Sequence, residues 1–257
     1  MIGPLTGRTA LVTGAGNGLG HAMTEHLTMA GARVIMVGRN LHKLTRTRED
    51  LNLSEHQCRL ETCDVTDPAS IADLAQSLGD EEISILVNNA GVPGPVADLV
   101  DIDPWDWDQV FATNVRGIYL MCRAFLPAMT NARYGDVINI ASVSGKRPLA
   151  RRAPYCASKM AVIGLTTTLA AEAGPFGVQV NSLSPGPVRG PRMERNFRLE
   201  AERTGASYDD AEAAFVSRAA LGRMVEEDEV GQALVAMLQM PGLTAADIDL
   251  SAGMVAR

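Results

Sequence analysis

The sequence predicts an α/β fold: a doubly wound parallel sheet in a single domain spanning residues 1–257. Three observations predict it. Short apolar, β-prone runs alternate with helical patterns, as in parallel strands joined by crossover helices. The first run, Thr9–Thr13, ends in Gly14-Ala15-Gly16-Asn17-Gly18-Leu19-Gly20 and then a helical pattern, so a glycine-rich turn joins a strand to a helix N-terminus. Gly14, Arg39, Asp64, Asn88, Ser142 and Pro185 each follow a strand, and ligands in such sheets bind at the strands' carboxyl ends.

The first turn's glycines let backbone N–H groups approach a phosphate, and the helix that opens there adds partial positive charge. Leu19, Ala22, Met23, Leu27 and Ala30 have helical spacing, and Gly31 closes the helix. Arg33–Val37 reads as a second buried strand, ending at Gly38-Arg39-Asn40. The adenosine ribose of a dinucleotide would lie at that tip, where an acid would bind a free 2′-hydroxyl. Gly38 instead leaves room and Arg39 offers a cation. The reading is therefore NADP(H), with a solvated loop charge as the alternative for Arg39.

Leu41–Leu53 is helical in pattern, and Cys58–Thr62 is a third strand. Asp64 beyond it either accepts from an adenine amino group or caps the next turn. Pro68–Leu78 is an amphipathic helix with proline at its start. Ile83–Val87 is a fourth strand, ending in Asn88-Asn89-Ala90-Gly91, whose amides can tie neighbouring loops together. Pro104–Met129 reads as one long helix interrupted only by Gly117. It carries Asn114, which either faces solvent or bends the ladder and turns a carbonyl toward a site.

Asp136–Ile140 is a fifth strand, ending at Ser142. A helix follows over Pro154–Ala173, closed by Gly174 and Pro175. Val178–Asn181 is a sixth strand, after which Pro185-Gly186-Pro187-Val188 leaves the sheet. Helical pieces over Met193–Arg203 and Tyr208–Ala220 depart from the alternation. Glu226–Met240 is a helix with an acidic first turn, and Asp247–Leu250 a short last strand.

A net charge of −7 gives no reason to expect nucleic acid as a partner. Met1 to Arg8 carries no signal-peptide pattern, and no apolar run approaches the roughly 20 residues of a membrane span. Cys58, Cys63, Cys122 and Cys156 lack metal-ligand spacing. They read as reduced thiols of a cytoplasmic protein without a metal, and Cys156 as packing.

Tyr155 and Lys159 stand four apart on a predicted helix, hence on one face. A phenol titrates near about 10 and is a poor acid or base at neutral pH. A nearby ammonium favours the phenolate, so the pair is a plausible acid/base unit.

Taken together, Thr13-Gly-Ala-Gly-Asn-Gly-Leu-Gly20, Asn88-Asn-Ala-Gly91, Asn114, Ser142, Tyr155-x-x-x-Lys159 and Pro185-Gly186 stand in register. In these motifs the chain resembles the short-chain dehydrogenase/reductase family, a Rossmann-like fold, across almost its whole length. The resemblance implies that Tyr155 is the acid/base for an alcohol or carbonyl oxygen. Lys159 would lower its pKa and hold the nicotinamide ribose, Ser142 would position the substrate oxygen, and Asn114 would hold a water relaying protons from Lys159. Gly14, Gly18 and Gly20 would cradle the pyrophosphate. Asp64 and Asn88 would flank the adenosine, and Asn17, Leu19, Val65, Ala90 and Gly91 would also touch the cofactor. Pro185, Gly186 and Val188 would approach the carboxamide. The family's Ser-Ser pair is Ala141-Ser142 here. A threonine common after Pro-Gly is absent, and Ser251-Ala252-Gly253 replaces a C-terminal Asp-Gly-Gly. Homotetramers or homodimers are implied, with residues 104–129 and 154–173 at the interface.

The family's substrate loop would lie at about 188–222. Residues 143–152 hold Lys146, Arg147, Arg151 and Arg152 and no acid; residues 189–203 hold Arg189, Arg192, Arg195, Arg198 and Arg203 against three glutamates. This suggests an anionic alcohol or ketone held by Arg147, Arg152, Arg189 or Arg192, with Ser144 nearby. The alternative is a solvated helix face or subunit salt bridges. Two further function readings remain: an NAD(H)-dependent catabolic sugar or hydroxy-acid dehydrogenase, and a non-enzymatic NADP-binding regulator.

Overall fold

The computed structural model describes residues 3–255 except Pro148, and of Arg192 only the backbone. Among the described residues seven parallel strands form one sheet, in the order β3-β2-β1-β4-β5-β6-β7. They are β1 (Thr9–Thr13), β2 (Arg33–Gly38), β3 (Cys58–Thr62), β4 (Ile85–Asn88), β5 (Gly135–Ile140), β6 (Val178–Pro185) and β7 (Asp247–Leu250). The chain winds outward from β1 to β3, then returns to lay β4 on the other side of β1. That reversal opens a crevice at the carboxyl ends of β1 and β4.

Both faces of the sheet are covered, which explains why its strands read as continuous apolar runs. Leu11, Ile35, Val37, Leu86, Val137 and Val180 point to one face. There they meet α3 (Pro68–Leu78), α5 (Gly117–Ala132) and α6 (Ala153–Ala173). The alternate positions Ala10, Val12, Val34, Met36, Ile85 and Val87 point to the other. They pack on α1 (Gly18–Met29), α2 (Leu41–Asp50) and α9 (Glu227–Leu238). A third, small core holds Met193, Phe197 and Met224, with Tyr208 and Phe215 against it. It joins α7 (Pro191–Thr204) to α8 (Tyr208–Val216), away from the sheet.

Among the elements that differ from expectation, two do so for a reason visible in their surroundings. The stretch read as one helix is α4 (Pro104–Phe111), a π-helical turn over Ala112–Arg116, then α5. Gly117 does not break it; a Cβ there would stand 3.0 Å from Val65 Cγ2, so the glycine lets α5 approach the end of β3. The sixth strand runs four residues past Asn181, because its polar side chains find partners. Ser182 and Ser184 both donate to Asp247 Oδ1, at 2.8 and 2.7 Å, and Asn181 donates to the Leu243 carbonyl. The helix begun at Tyr208 stops at Val216, short of Ala220.

Candidate active site

A cleft of about 530 Å³ lies at the carboxyl ends of the strands. The glycine turn forms its floor. Gly14 has φ +67° and Gly18 φ +51°, left-handed conformations that favour glycine. A Cβ on Gly20 would stand 2.2 Å from the Gly14 carbonyl oxygen, so only glycine lets α1 start against the turn. Gly14, Asn17, Gly18, Leu19 and Gly20 all line the cleft.

The turn is bolted to the end of β4 by Asn89, whose amide ties the two loops together as its place after the strand suggested, and by Thr13, which sequence reasoning left without a role. Thr13 Oγ1 accepts from the Asn89 and Ala90 N–H groups, each at 3.0 Å. Asn89 Nδ2 donates back to the Thr13 and Gly14 carbonyls at 2.9 and 3.2 Å. The signal available in the sequence was the tandem amide Asn88-Asn89. Asn88, expected beside the adenosine, turns its side chain into the core instead. It is 2% exposed and donates to Asn139 Oδ1 at 2.9 Å. The strand ends at Asn88, with its side chain on the core side; Asn89, Ala90 and Gly91 beyond it line the cleft.

At the outer end, Arg39, Asn40 and Lys43 line the cleft with Asp64 and Val65. Lys43 is a second cation that the sequence analysis missed. Its helical spacing from Asn40, which caps α2 by accepting from the Lys43 N–H, was the available clue. Of the two roles left open for Asp64, the turn role is filled: Oδ1 accepts from Thr66 N and Oγ1 at 2.9 and 2.8 Å. Burial raises the Asp64 carboxyl, but the Thr66 hydrogen bonds and the Arg39 charge outweigh it, and it sits below its usual range. Arg39 Nη1 lies 4.0 Å from Asp64 Oδ2 and is largely exposed.

At the inner end, Ser142, Tyr155 and Lys159 come together from β5 and α6, and all three line the cleft. Tyr155 is 7% and Lys159 5% exposed. Lys159 Nζ donates to the Ile140 carbonyl at 2.7 Å and lies 5.9 Å from the centre of the Tyr155 ring. Ser142 Oγ accepts from the Ser144 N–H at 3.1 Å and donates to the Pro185 carbonyl at 3.5 Å. Gly145 lets this loop lie on α6, since a Cβ there would be 2.8 Å from the Lys159 backbone. Pro185, Gly186 and Val188 close the floor.

Asn114 sits in the π-helical turn and is fully buried. Its Oδ1 accepts from the Val92 N–H at 2.8 Å. Its Nδ2 donates to the Val92 carbonyl and to Ser158 Oγ, both at 3.0 Å. The amide therefore braces the loop after β4 against α6, behind Gly91 and Lys159 rather than in the cleft.

A second, smaller cavity of about 90 Å³ opens beside Ser142 and Tyr155. Ser144, Arg147 and Arg152 line it, together with Arg218, which was not anticipated. Arg189 does not: it lines the large cleft and pairs with Glu226 and Glu212, at 3.1 and 3.4 Å. An exposed cation so neutralised is poorly suited to hold a substrate anion. Arg192 stands in α7 with its side chain outside the described residues. Among the described residues no His, Cys, Asp and Glu cluster could hold a metal ion, and no helix is long and apolar enough to cross a membrane.

A glycine floor that a Cβ would fill, two cations at the outer end and a tyrosine–lysine pair at the inner end fit an extended dinucleotide.

Comparison with known proteins agrees with that geometry. The family model for short chain dehydrogenase matches residues 8–202. The granaticin polyketide synthase putative ketoacyl reductase 1 of Streptomyces violaceoruber is 37% identical over 227 residues, covering 86% of this chain and 82% of the relative. The crystal structure of a single-substitution variant of actinorhodin polyketide ketoreductase with NADPH superposes with a TM-score of 0.89 at 31% identity, covering 96% of this chain and 97% of the other. NAD+-bound xylitol dehydrogenase superposes with a TM-score of 0.90 at 27% identity, covering 97% and 100%.

Proposed function

The chain belongs to the short chain dehydrogenase family, and from that premise we propose that it moves a hydride between NADP(H) and a secondary alcohol or ketone. It is an NAD(P)-dependent oxidoreductase of the ketoreductase and alcohol dehydrogenase type. Which dinucleotide and which substrate it uses are our reading. The dinucleotide, when bound, supplies or accepts the hydride.

The chain's own residues bind, orient and manage the proton. Backbone N–H groups of the turn at Gly14–Gly20 hold the pyrophosphate at the start of α1. Arg39 and Lys43 face the adenosine end and favour a 2′-phosphate. Ala90, Gly91, Pro185, Gly186 and Val188 flank the path to the reacting centre. The substrate oxygen lies between Ser142 and Tyr155. Tyr155 gives or takes its proton, and Lys159, held by the Ile140 carbonyl, favours the phenolate. Asn114 positions Lys159's surroundings through Val92 and Ser158.

The observation that carries this reading is the shared cleft: the tyrosine–lysine pair at one end and Arg39 with Lys43 at the other. The arginines of the second cavity extend the reading to a substrate with negative charge. We also place residues 188–222 over the substrate, and the protein in the cytoplasm as a homotetramer or homodimer. Exposed Trp105, Tyr119 and Met160 on α4, α5 and α6 support self-association there.

The test is fluorescence titration with NADPH and NADH. The expected result is tighter NADPH binding, weakened about tenfold or more by Arg39→Ala. NADH preference untouched by that change would support instead the NAD-dependent catabolic dehydrogenase, the cofactor state of the xylitol enzyme. Tight binding without turnover of any alcohol or ketone would favour the regulatory protein.

A further inference from the structure

We propose that the small cavity beside Tyr155 is a carboxylate subsite, and that the substrate is a compact oxo acid or hydroxy acid with its charge close to the reacting carbon. This rests on the hydride-transfer reading above and deepens it.

Most cations of the two arginine-rich segments face acids elsewhere in the fold. Lys146 pairs with Asp247 and Asp249 at the edge of the sheet. Arg151 faces Asp98, Arg189 faces Glu226 and Glu212, Arg198 faces Glu194, and Arg203 faces Glu200. Arg147, Arg152 and Arg218 converge on the small cavity, whose described walls contain no Asp or Glu. Glu200 lies close enough to Arg218 to feel its charge, but no acid lines the cavity itself, so three guanidinium groups gather beside Tyr155 in a chain of net charge −7.

Each guanidinium is held in place. Arg152 is 8% exposed, with its Cζ 5.8 Å from the centre of the Tyr155 ring. Arg218 Cζ lies 5.5 Å from the Phe215 ring centre. Arg147 Nη1 donates to the Met254 carbonyl at 2.9 Å. Stacking and anchoring orient these planar forks before a ligand arrives, which suits bidentate binding of a carboxylate. Because Arg152 lies over the tyrosine that handles the proton, the anion it holds is near the carbonyl being reduced.

Size narrows the class. At about 10–15 Å³ for each water-sized group, 90 Å³ accommodates roughly six to nine such groups. Val143, Leu149, Met193 and Phe215 give the space apolar walls beside the arginines. In reduction, the carbonyl carbon receives the hydride supplied by the reduced dinucleotide and the oxygen receives the proton from Tyr155. The products are the hydroxy acid and the oxidised dinucleotide.

The experiment measures NAD(P)H oxidation with 2-oxobutanoate and 3-oxobutanoate, each beside its ethyl ester. A neutral ketone and dinucleotide binding by fluorescence accompany them. The acid is expected to exceed its ester in kcat/KM by about tenfold or more. Arg152→Met and, just past the end of α8, Arg218→Gln should each narrow that ratio through KM. An ester reduced as well as its acid overturns the assignment. So does a protein that binds dinucleotide and turns over neutral ketones but neither acid. Failure to bind either dinucleotide overturns the underlying reading instead.

Discussion

Lys159 donates from Nζ to the carbonyl oxygen of Ile140, at 2.7 Å. This contact ties α6 to the carboxyl end of β5, with the ammonium 5.9 Å from the centre of the Tyr155 ring. Buried and held in this way, the lysine keeps its charge beside the tyrosine. Lys159→Met should lower kcat by about 10²–10⁴-fold, as should Tyr155→Phe. Steady-state kinetics beside a dinucleotide titration on each variant separates loss of chemistry from loss of binding.

Asn114 is a brace, and its removal should be felt in stability as well as rate. Leucine at this position would strand the Val92 N–H and carbonyl and take from the Ser158 oxygen its donor, leaving that hydroxyl only its bond to the Tyr155 carbonyl. An expected loss of about 2–4 kcal/mol follows from buried groups left without partners. Urea unfolding followed by circular dichroism measures it. Unchanged stability would show that the loop after β4 is held by other contacts.

Glu227 places a carboxyl in the dinucleotide cleft. A Cβ on Gly18 would lie 3.5 Å from its Oε1, and one on Gly190 3.2 Å. Burial pushes this carboxyl above its usual range; His21 opposes the shift and Glu226 adds to it. The charged form, present above the raised pKa, repels a pyrophosphate. Dinucleotide binding should therefore weaken as pH rises through that pKa, and Glu227→Gln should tighten binding and flatten the dependence. Titrations from pH 4.5 upward provide the check.

The start of α9 is held by Arg223, which donates to both oxygens of Glu229 at 2.7 Å. Those bonds, with one from the Glu226 N–H, pull the Glu229 carboxyl down to about 2. A depressed carboxylate stabilises the fold above its unfolded pKa of about 4.5 and loses that contribution as pH falls toward 2. The pair is partly exposed, so Glu229→Gln should cost no more than about 1 kcal/mol at pH 7. The gap between variant and parent in thermal melts should close between pH 4.5 and 2.

Burial raises the thiols of Cys58, to about 11, and Cys122, to about 12, and it also raises Cys63. Cys156 is partly exposed. At pH 8 a disulfide reagent should titrate Cys156 quickly and the other thiols only on unfolding. Cys156→Ser should remove the fast phase.

Sequence alone determined the doubly wound sheet, because buried parallel strands and their crossover helices differ in period and punctuation. Local spacing likewise put Tyr155 and Lys159 on one helix face, and the turn at Gly14–Gly20 between a strand and a helix. Tertiary structure decided what local patterns do not encode. Neighbouring strands turned Asn88 inward and gave the cleft to Asn89. The Val92 backbone, twenty-two residues before Asn114, fixed that amide's role. Basic residues dense in sequence were divided by distant partners: Asp247 and Asp249 took Lys146, Glu226 took Arg189, and Arg147, Arg152 and Arg218 came together around one cavity. A charge's role depends on which groups the fold brings to it, and that pairing is set by packing across the sheet, not by spacing along the chain.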